Sequence, residues 1–270
     1  MIPRVVKILA GAATVVAMAC VDISSPTDKP TAISLLQVPE FFVVINDVMR
    51  DTLGAPTKPA LVSFDGAGNP VAGFNPAFFI TDSVKFAVFD PSGVIAGKVL
   101  GTAHALGQIG NLQTPSTSIF VTVVPTKLRK TTVDSSLALK IGQDSSSSLA
   151  TLALSATLLG DSAGPGTTPP IVAGGIVFFS LRSSIPQKPG GSPVAFLLDN
   201  FGNPSNVDTG KAPGVVSRNL VVNSFQIPDS NRARLILGTE TDSVVVTAHI
   251  TYKGTVIPTR FTILIKGPLI

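Results

Sequence analysis

Apolar and polar residues alternate with a period of two over residues 243–253. Val244, Val246, Ala248, Ile250 and Tyr252 fall on one side; Val245, Thr247, His249, Thr251 and Lys253 fall on the other. Successive side chains of a strand point to opposite faces. The first set therefore predicts a core face and the second a solvent face. Short runs rich in Val, Ile, Phe and Thr predict further strands at 41–45, 84–89, 118–124, 151–159, 176–181 and 261–265. After residue 20 no segment holds a 3.6-residue apolar period for three turns with caps. The expected class is all-β.

Turn signals separate these runs, and two are nearly the same. Phe64-Asp65-Gly66-Ala67-Gly68-Asn69-Pro70 returns as Leu198-Asp199-Asn200-Phe201-Gly202-Asn203-Pro204. In each, Asp accepts hydrogen bonds from amides ahead of it, Gly supplies positive φ, Asn tolerates it and Pro ends the ladder. The recurrence points to two related units. The first spans residues 31–126 and closes on Val121-Thr122-Val123-Val124-Pro125. The second spans 133–268 and closes on the 261–265 strand. Residues 126–132 between them contain Lys127-Leu128-Arg129-Lys130 and read as a solvated linker rather than a nucleic-acid patch.

The N-terminus has a different pattern. Arg4 and Lys7 precede an uncharged Ala/Val-rich stretch, which ends in Ala17-Met18-Ala19-Cys20. A positive start, an apolar middle and small residues at a cleavage point are the layout of a secretory signal. The apolar run is shorter than the roughly 20 residues a spanning helix needs. Ala17–Cys20 resembles the lipobox of bacterial lipoproteins. That resemblance implies cleavage after residue 19 and acylation of Cys20, with attachment to the cell envelope, at the outer membrane. One acyl chain holds only marginally and two hold stably, so such a modification anchors the chain. Residues 20–30, polar with Pro26 and Pro30, read as a tether.

Composition narrows the functions. Charged residues make up 13% of the 270, about half the usual share, and Ser, Thr, Gly and Pro fill the difference, as in short strands joined by turns. The net charge of +4 includes Arg4 and Lys7, which leave with the signal. No basic cluster exceeds the tetrapeptide at 127–130. With one Tyr and no Trp, nucleic acid is not an expected partner. The single cysteine allows no disulfide within the chain, so the domains depend on core packing.

The first unit resembles a bacterial immunoglobulin-like domain of intimin- and invasin-type surface proteins and exported lipoproteins. The matching elements are Asp65-x-x-Gly68-Asn69-Pro70-Val71, Val84-Lys85-Phe86-Ala87-Val88-Phe89-Asp90, Ser92 to Gly97, Gly101-Thr102-Ala103 and Val121-Thr122-Val123. The second unit keeps Asp199-x-x-Gly202-Asn203-Pro204, Gly175 to Phe179 and Ser243 to Val246, with Gly/Pro-rich inserts at 160–175 and 186–193. The resemblance implies two tandem immunoglobulin-like β-sandwiches and roles in adhesion, spacing or association with polysaccharide, with no catalytic residues.

A search for chemistry agrees. His104 and His249 read as strand-end or surface residues, and Ser145–Ser148 as a flexible loop with no base beside it. No HExxH, Gly-x-Ser-x-Gly or P-loop pattern occurs. Asp199, Asn200, Asn203, Asn206 and Asp208 offer oxygen ligands that suit calcium, but turn chemistry accounts for the same residues, and no metal or other cofactor is expected. The function expected is a lipid-anchored, non-enzymatic envelope protein acting as scaffold, spacer or adhesive module. The alternative is a lipoprotein that binds a glycan or extracellular polymer, although its one tyrosine, Tyr252, falls on a core face. The expected partners are the membrane, through the anchor, and an envelope protein or polysaccharide.

Overall fold

The computed structural model of the chain describes residues 29–81, 84–133, 135–161, 166–210, 214–238 and 242–267. Cys20, the signal segment and most of the expected tether lie outside the described residues. The all-β expectation holds: strands dominate, joined by tight turns.

The N-terminal strands form one main sheet and two small ones. β2 (Phe42–Val44), β10 (Thr117–Thr122), β8 (Gly101–Ile109) and β5 (Ala77–Ile80) lie in that order, with β9 (Leu112–Gln113) added to β8. β1 (Ala32–Ile33), β3 (Ser63–Phe64) and β4 (Pro70–Val71) form a three-stranded sheet. β6 (Ala87–Phe89) and β7 (Ile95–Gly97) form a hairpin. Val43, Met49, Ala87, Ile95, Ala103, Ala105, Ile119 and Val121 fill the core among them. The strand expected at 84–89 starts only at Ala87. Val84, Lys85 and Phe86 are turn, and Val84 is exposed: its apolar side chain has no facing layer to meet.

The C-terminal strands form a β-sandwich. One sheet runs β11 (Pro125–Lys130), β13 (Leu149–Gly160), β17 (Val215–Asn223), β15 (Ala195–Leu198). The other runs β12 (Ser136–Ala138), β19 (Thr255–Lys266), β18 (Asp242–Tyr252), β14 (Ile176–Ser183), β16 (Val207–Thr209). On β18 the alternation read from sequence is realised. Val244, Val246, Ala248 and Ile250 are fully buried, while Val245, Thr247 and His249 are only partly covered. Val244, Val246 and Ile250 each contribute roughly 1.5–3 kcal/mol by burial. They meet Leu154, Leu158, Val216 and Leu220 of the facing sheet.

Residues 125–130 depart from the expected linker. They form β11, paired antiparallel with β13, with Leu128 3% exposed. Lys127, Arg129 and Lys130 are exposed on this edge strand, where lysines discourage pairing with another chain. A helix, α1 (Asp229–Ile236), also departs from expectation. It is two turns long and polar, and only Leu235 is buried, so it carries no apolar stripe for periodicity to find. Ser145–Ser148 is an ordered turn. The Asp144 carboxylate takes the Ser147 amide at 2.8 Å, and Ser148 is fully buried.

In both halves an early strand pairs parallel with the last one. β2 runs parallel to β10 with Val43 opposite Val121, and β12 runs parallel to β19 with Leu137 opposite Ile265.

Candidate functional site

The densest cluster of charged and polar side chains with perturbed titration lies where the N-terminal and C-terminal strands meet. It starts from the run Glu40-Phe41-Phe42-Val43-Val44-Ile45. The continuous apolar stretch at 41–45 is short and rich in β-branched residues, consistent with a strand covered on both faces, and all three residues of β2 are buried. Val43 belongs to the N-terminal core, whereas Phe42 and Val44 belong to the core of the C-terminal sandwich. The Phe42 ring lies 6.0 Å from that of Tyr252. Gly175 packs tightly beside Phe42: a Cβ there would stand 2.7 Å from Leu158 and 2.8 Å from Ile250.

Two carboxylates flank this packing and behave in opposite ways. Glu40 is 4% exposed and its Oε2 accepts the Ile176 amide at 3.1 Å. Burial pushes its carboxyl up to about 8, against the smaller opposing effect of the Ile176 hydrogen bond. Charge is costly in a low-dielectric site. Asp47 is also largely covered, and burial raises its pKa, but four donors outweigh that and hold it well below the usual carboxylate range. Arg50 donates through Nη2 at 2.8 Å, Lys253 Nζ stands at 2.7 Å, the Val48 amide at 2.9 Å and the Tyr252 hydroxyl at 2.9 Å. Burial, then the bond to Asp47, raises the Tyr252 hydroxyl above its ordinary value. Arg50 extends the network to the Gly54 carbonyl at 2.7 Å.

The local backbone sets these donors in place. Tyr252-Lys253-Gly254-Thr255 closes the β18–β19 hairpin with positive φ at both central residues, +49° for Lys253 and +76° for Gly254, the pattern of a type I′ turn. The turn at 51–55 lies directly against it: a Cβ on Gly54 would be 2.6 Å from Lys253 Cα. The cavity bounded by Glu40, Phe42, Arg50 and Tyr252 is only about 10 Å³, the scale of one water. That cavity has no room for a ligand larger than water.

The expected turn residues fall into a stricter pattern than the sequence suggested. Asp65 Oδ1 accepts the amides of Ala67 and Asn69, each at 2.8 Å, and Asp199 Oδ1 those of Phe201 and Asn203 at 2.8 and 2.9 Å. Gly68 and Gly202 have φ of +85° and +87°. Asp51 and Asp90 do the same with Leu53 and Ala55, and with Ser92 and Val94. Their glycines, Gly54 and Gly93, have φ of +92° and +85°. Four turns thus share one construction, and an Asp-x-x-Gly search without the Asn-Pro requirement finds all four. Backbone bonds from the Asn69 and Asn203 amides are the leading cause holding Asp65 and Asp199 below their ordinary values.

At the calcium candidates, Asp199 and Asp208 already face N–H donors. Asp208 Oδ1 accepts the Thr209 amide and Oδ2 the Ser217 amide, at 2.9 and 2.7 Å. Arg218 Nη1 stands 3.5 Å from Oδ1 of Asp208. Asn203 turns its Nδ2 toward Asp199. Among the described residues no group of three acidic, His or Cys side chains is placed to hold a metal. Arg218 is itself a site that sequence reasoning missed. It is 4% exposed between the sheets, above the Phe179 ring and bonded to Ser205. A charge at an inward position of the alternating run 215–223 was the available signal. His104 lies within β8 opposite Ser118, and His249 lies on the outward face of β18. Tyr252 packs against the core, as its face predicted.

No protein-family model matches the chain, and no curated protein does. Solved structures with some likeness include surface layer protein SbsC, domains 1–6 (14% identity, 90% of this chain and 29% of that one, TM-score 0.30). The Yersinia pseudotuberculosis adhesin InvE shares 18% identity over 86% of this chain and 58% of its own, with a TM-score of 0.32. Drosophila N-cadherin EC1-4 shares 13% over 90% and 51%, with a TM-score of 0.28. The chain thus spans less than two thirds of each of these three. Likeness at these TM-scores decides neither family nor function. No helix among the described residues is long and apolar enough to cross a membrane.

Proposed function

We propose that this protein is a non-enzymatic envelope module whose two β-units, 31–124 and 125–267, are locked together as a stiff spacer and held to a membrane through a lipid on Cys20. The observation that carries the reading is the junction. Phe42 and Val44 complete the core of the second unit, and Asp47 binds Tyr252 and Lys253 across the boundary. A flexible pair of modules needs no such contacts, and inter-domain motion is the default where interfaces are small and polar. The outer membrane, with the chain facing periplasm or exterior, is the location this reading favours.

Small-angle scattering of the full chain in detergent, matched for micelle contrast, tests stiffness. The expected profile is that of one elongated body, unchanged between low and high salt, with Asp47→Ala broadening the distance distribution. A wild-type profile that already requires an ensemble of unit orientations would refute the spacer. Mass spectrometry of the mature N-terminus tests the anchor. An acylated Cys20 is expected, and an unmodified terminus at another residue overturns it.

A further inference from the structure

We propose that the outward face of the sheet formed by β12, β19, β18, β14 and β16 binds an acidic polysaccharide, with Arg182 and Arg260 taking its carboxylates and the Phe178–His249 pair supporting a sugar ring. The proposal goes beyond the spacer reading and stands independently of it. Register places three neighbouring rows on this face. Val207, Phe178, His249 and Pro258 form the first, Ser180, Thr247 and Arg260 the second, and Arg182, Val245 and Thr262 the third. Rows on one face are about 7 Å apart along the strands, and neighbouring strands about 4.8 Å apart. The two arginines therefore flank β18 with Cα atoms roughly 12 Å from each other.

Between them lies an open hollow of about 380 Å³, lined by Ser180, Val245 and Thr247 as well as both arginines. Both arginines are exposed, and Lys266 adds a third cation on the same face. Among the described residues of these five strands, Asp208 turns inward to Arg218, and Asp242 stands at the start of β18, where it accepts the Ser184 hydroxyl at 3.3 Å. Guanidinium forks bind carboxylates in pairs of parallel hydrogen bonds. Phe178 and His249, with ring centroids 5.7 Å apart and 27° between planes, are both half-exposed one row from Arg260. A ring platform beside exposed guanidinium groups, with hydroxyls between them, matches a chain of pyranose rings that carry carboxylates. This supplies what Tyr252, engaged with Asp47, does not.

Affinity electrophoresis of the full chain in detergent through gels containing polygalacturonate, neutral dextran or no polymer tests the proposal. Retardation by polygalacturonate alone is expected, weakening with salt. The double variant R182A/R260A should raise the apparent Kd at least about tenfold, and F178A about threefold, with the far-UV circular dichroism melt of both unchanged. Absence of retardation, or retardation equal in R182A/R260A, overturns the proposal. So does an unchanged affinity in F178A. Equal arginine-dependent binding to phosphatidylglycerol vesicles would also overturn it, by assigning the face to a lipid surface.

Discussion

Replacing Glu40 by Gln tests whether the junction contains a carboxyl kept neutral by burial. Glutamine keeps the length of the side chain and the oxygen that accepts the Ile176 amide, and removes the ability to ionise. The native carboxyl is pushed from 4.5 up to about 8. A group whose pKa is raised on folding contributes stability that is complete below the unfolded value and disappears as pH climbs through the folded value. Wild-type stability should therefore decline between about pH 4.5 and 8. Each tenfold in proton affinity corresponds to about 1.4 kcal/mol, so the full decline has an upper limit near 5 kcal/mol. Water entering the junction reduces this, and a gain of about 2–3 kcal/mol for E40Q over wild type at pH 9 is expected. At pH 4.5 the two should agree closely. Urea denaturation followed by far-UV circular dichroism at both pH values measures this directly, since the chain lacks tryptophan. Equal pH dependence in E40Q and wild type would refute the reasoning, because the decline would then come from other groups.

The remaining predictions use the same urea assay. Asp47 is held low, so its contribution is present above the ordinary carboxylate range and is lost as pH falls below about 4. D47N should remove that acid sensitivity and cost about 2–3 kcal/mol at pH 7, because Lys253 and Arg50 lose their counter-charge and one of the two acceptor oxygens becomes an NH2 donor. R218A should cost about 3 kcal/mol by leaving Asp208 without its counter-charge and the Ser205 carbonyl without its donor. G202A, in an open turn with φ of +87°, should cost about 1–2 kcal/mol. G54A should cost clearly more, because its Cβ would collide with Lys253.

Much of the architecture was legible in the sequence because strands announce themselves by alternation. The 243–253 run gave both the strand and the faces of its residues, and the repeated Asp-x-x-Gly-Asn-Pro gave two true turns. Residues 125–130 misled for a physical reason. Edge strands carry the charges that loops carry, and a single buried Leu128 makes no pattern. The helix at 229–236 was hidden by its polarity. The junction was the least legible part, since Asp47 and Tyr252 stand 205 positions apart and nothing local marks either as a partner. Only the unbroken apolar run at 41–45 hinted that β2 is covered on both sides. The faces of β14, β18 and β19 could be read singly, but the neighbourhood of Arg182, Arg260 and Phe178 required knowing which strands adjoin.

The parallel pairing of an early strand with the last one, repeated in both halves, has a mechanical consequence. A chain held at its N-terminus and pulled at its C-terminus draws β2 and β10 in opposite directions along their shared axis, and β12 and β19 likewise. The hydrogen bonds between them are then loaded in shear and must break together, instead of opening one after another as in a hairpin pulled from its free ends. These two parallel pairs thus resist tension without a disulfide.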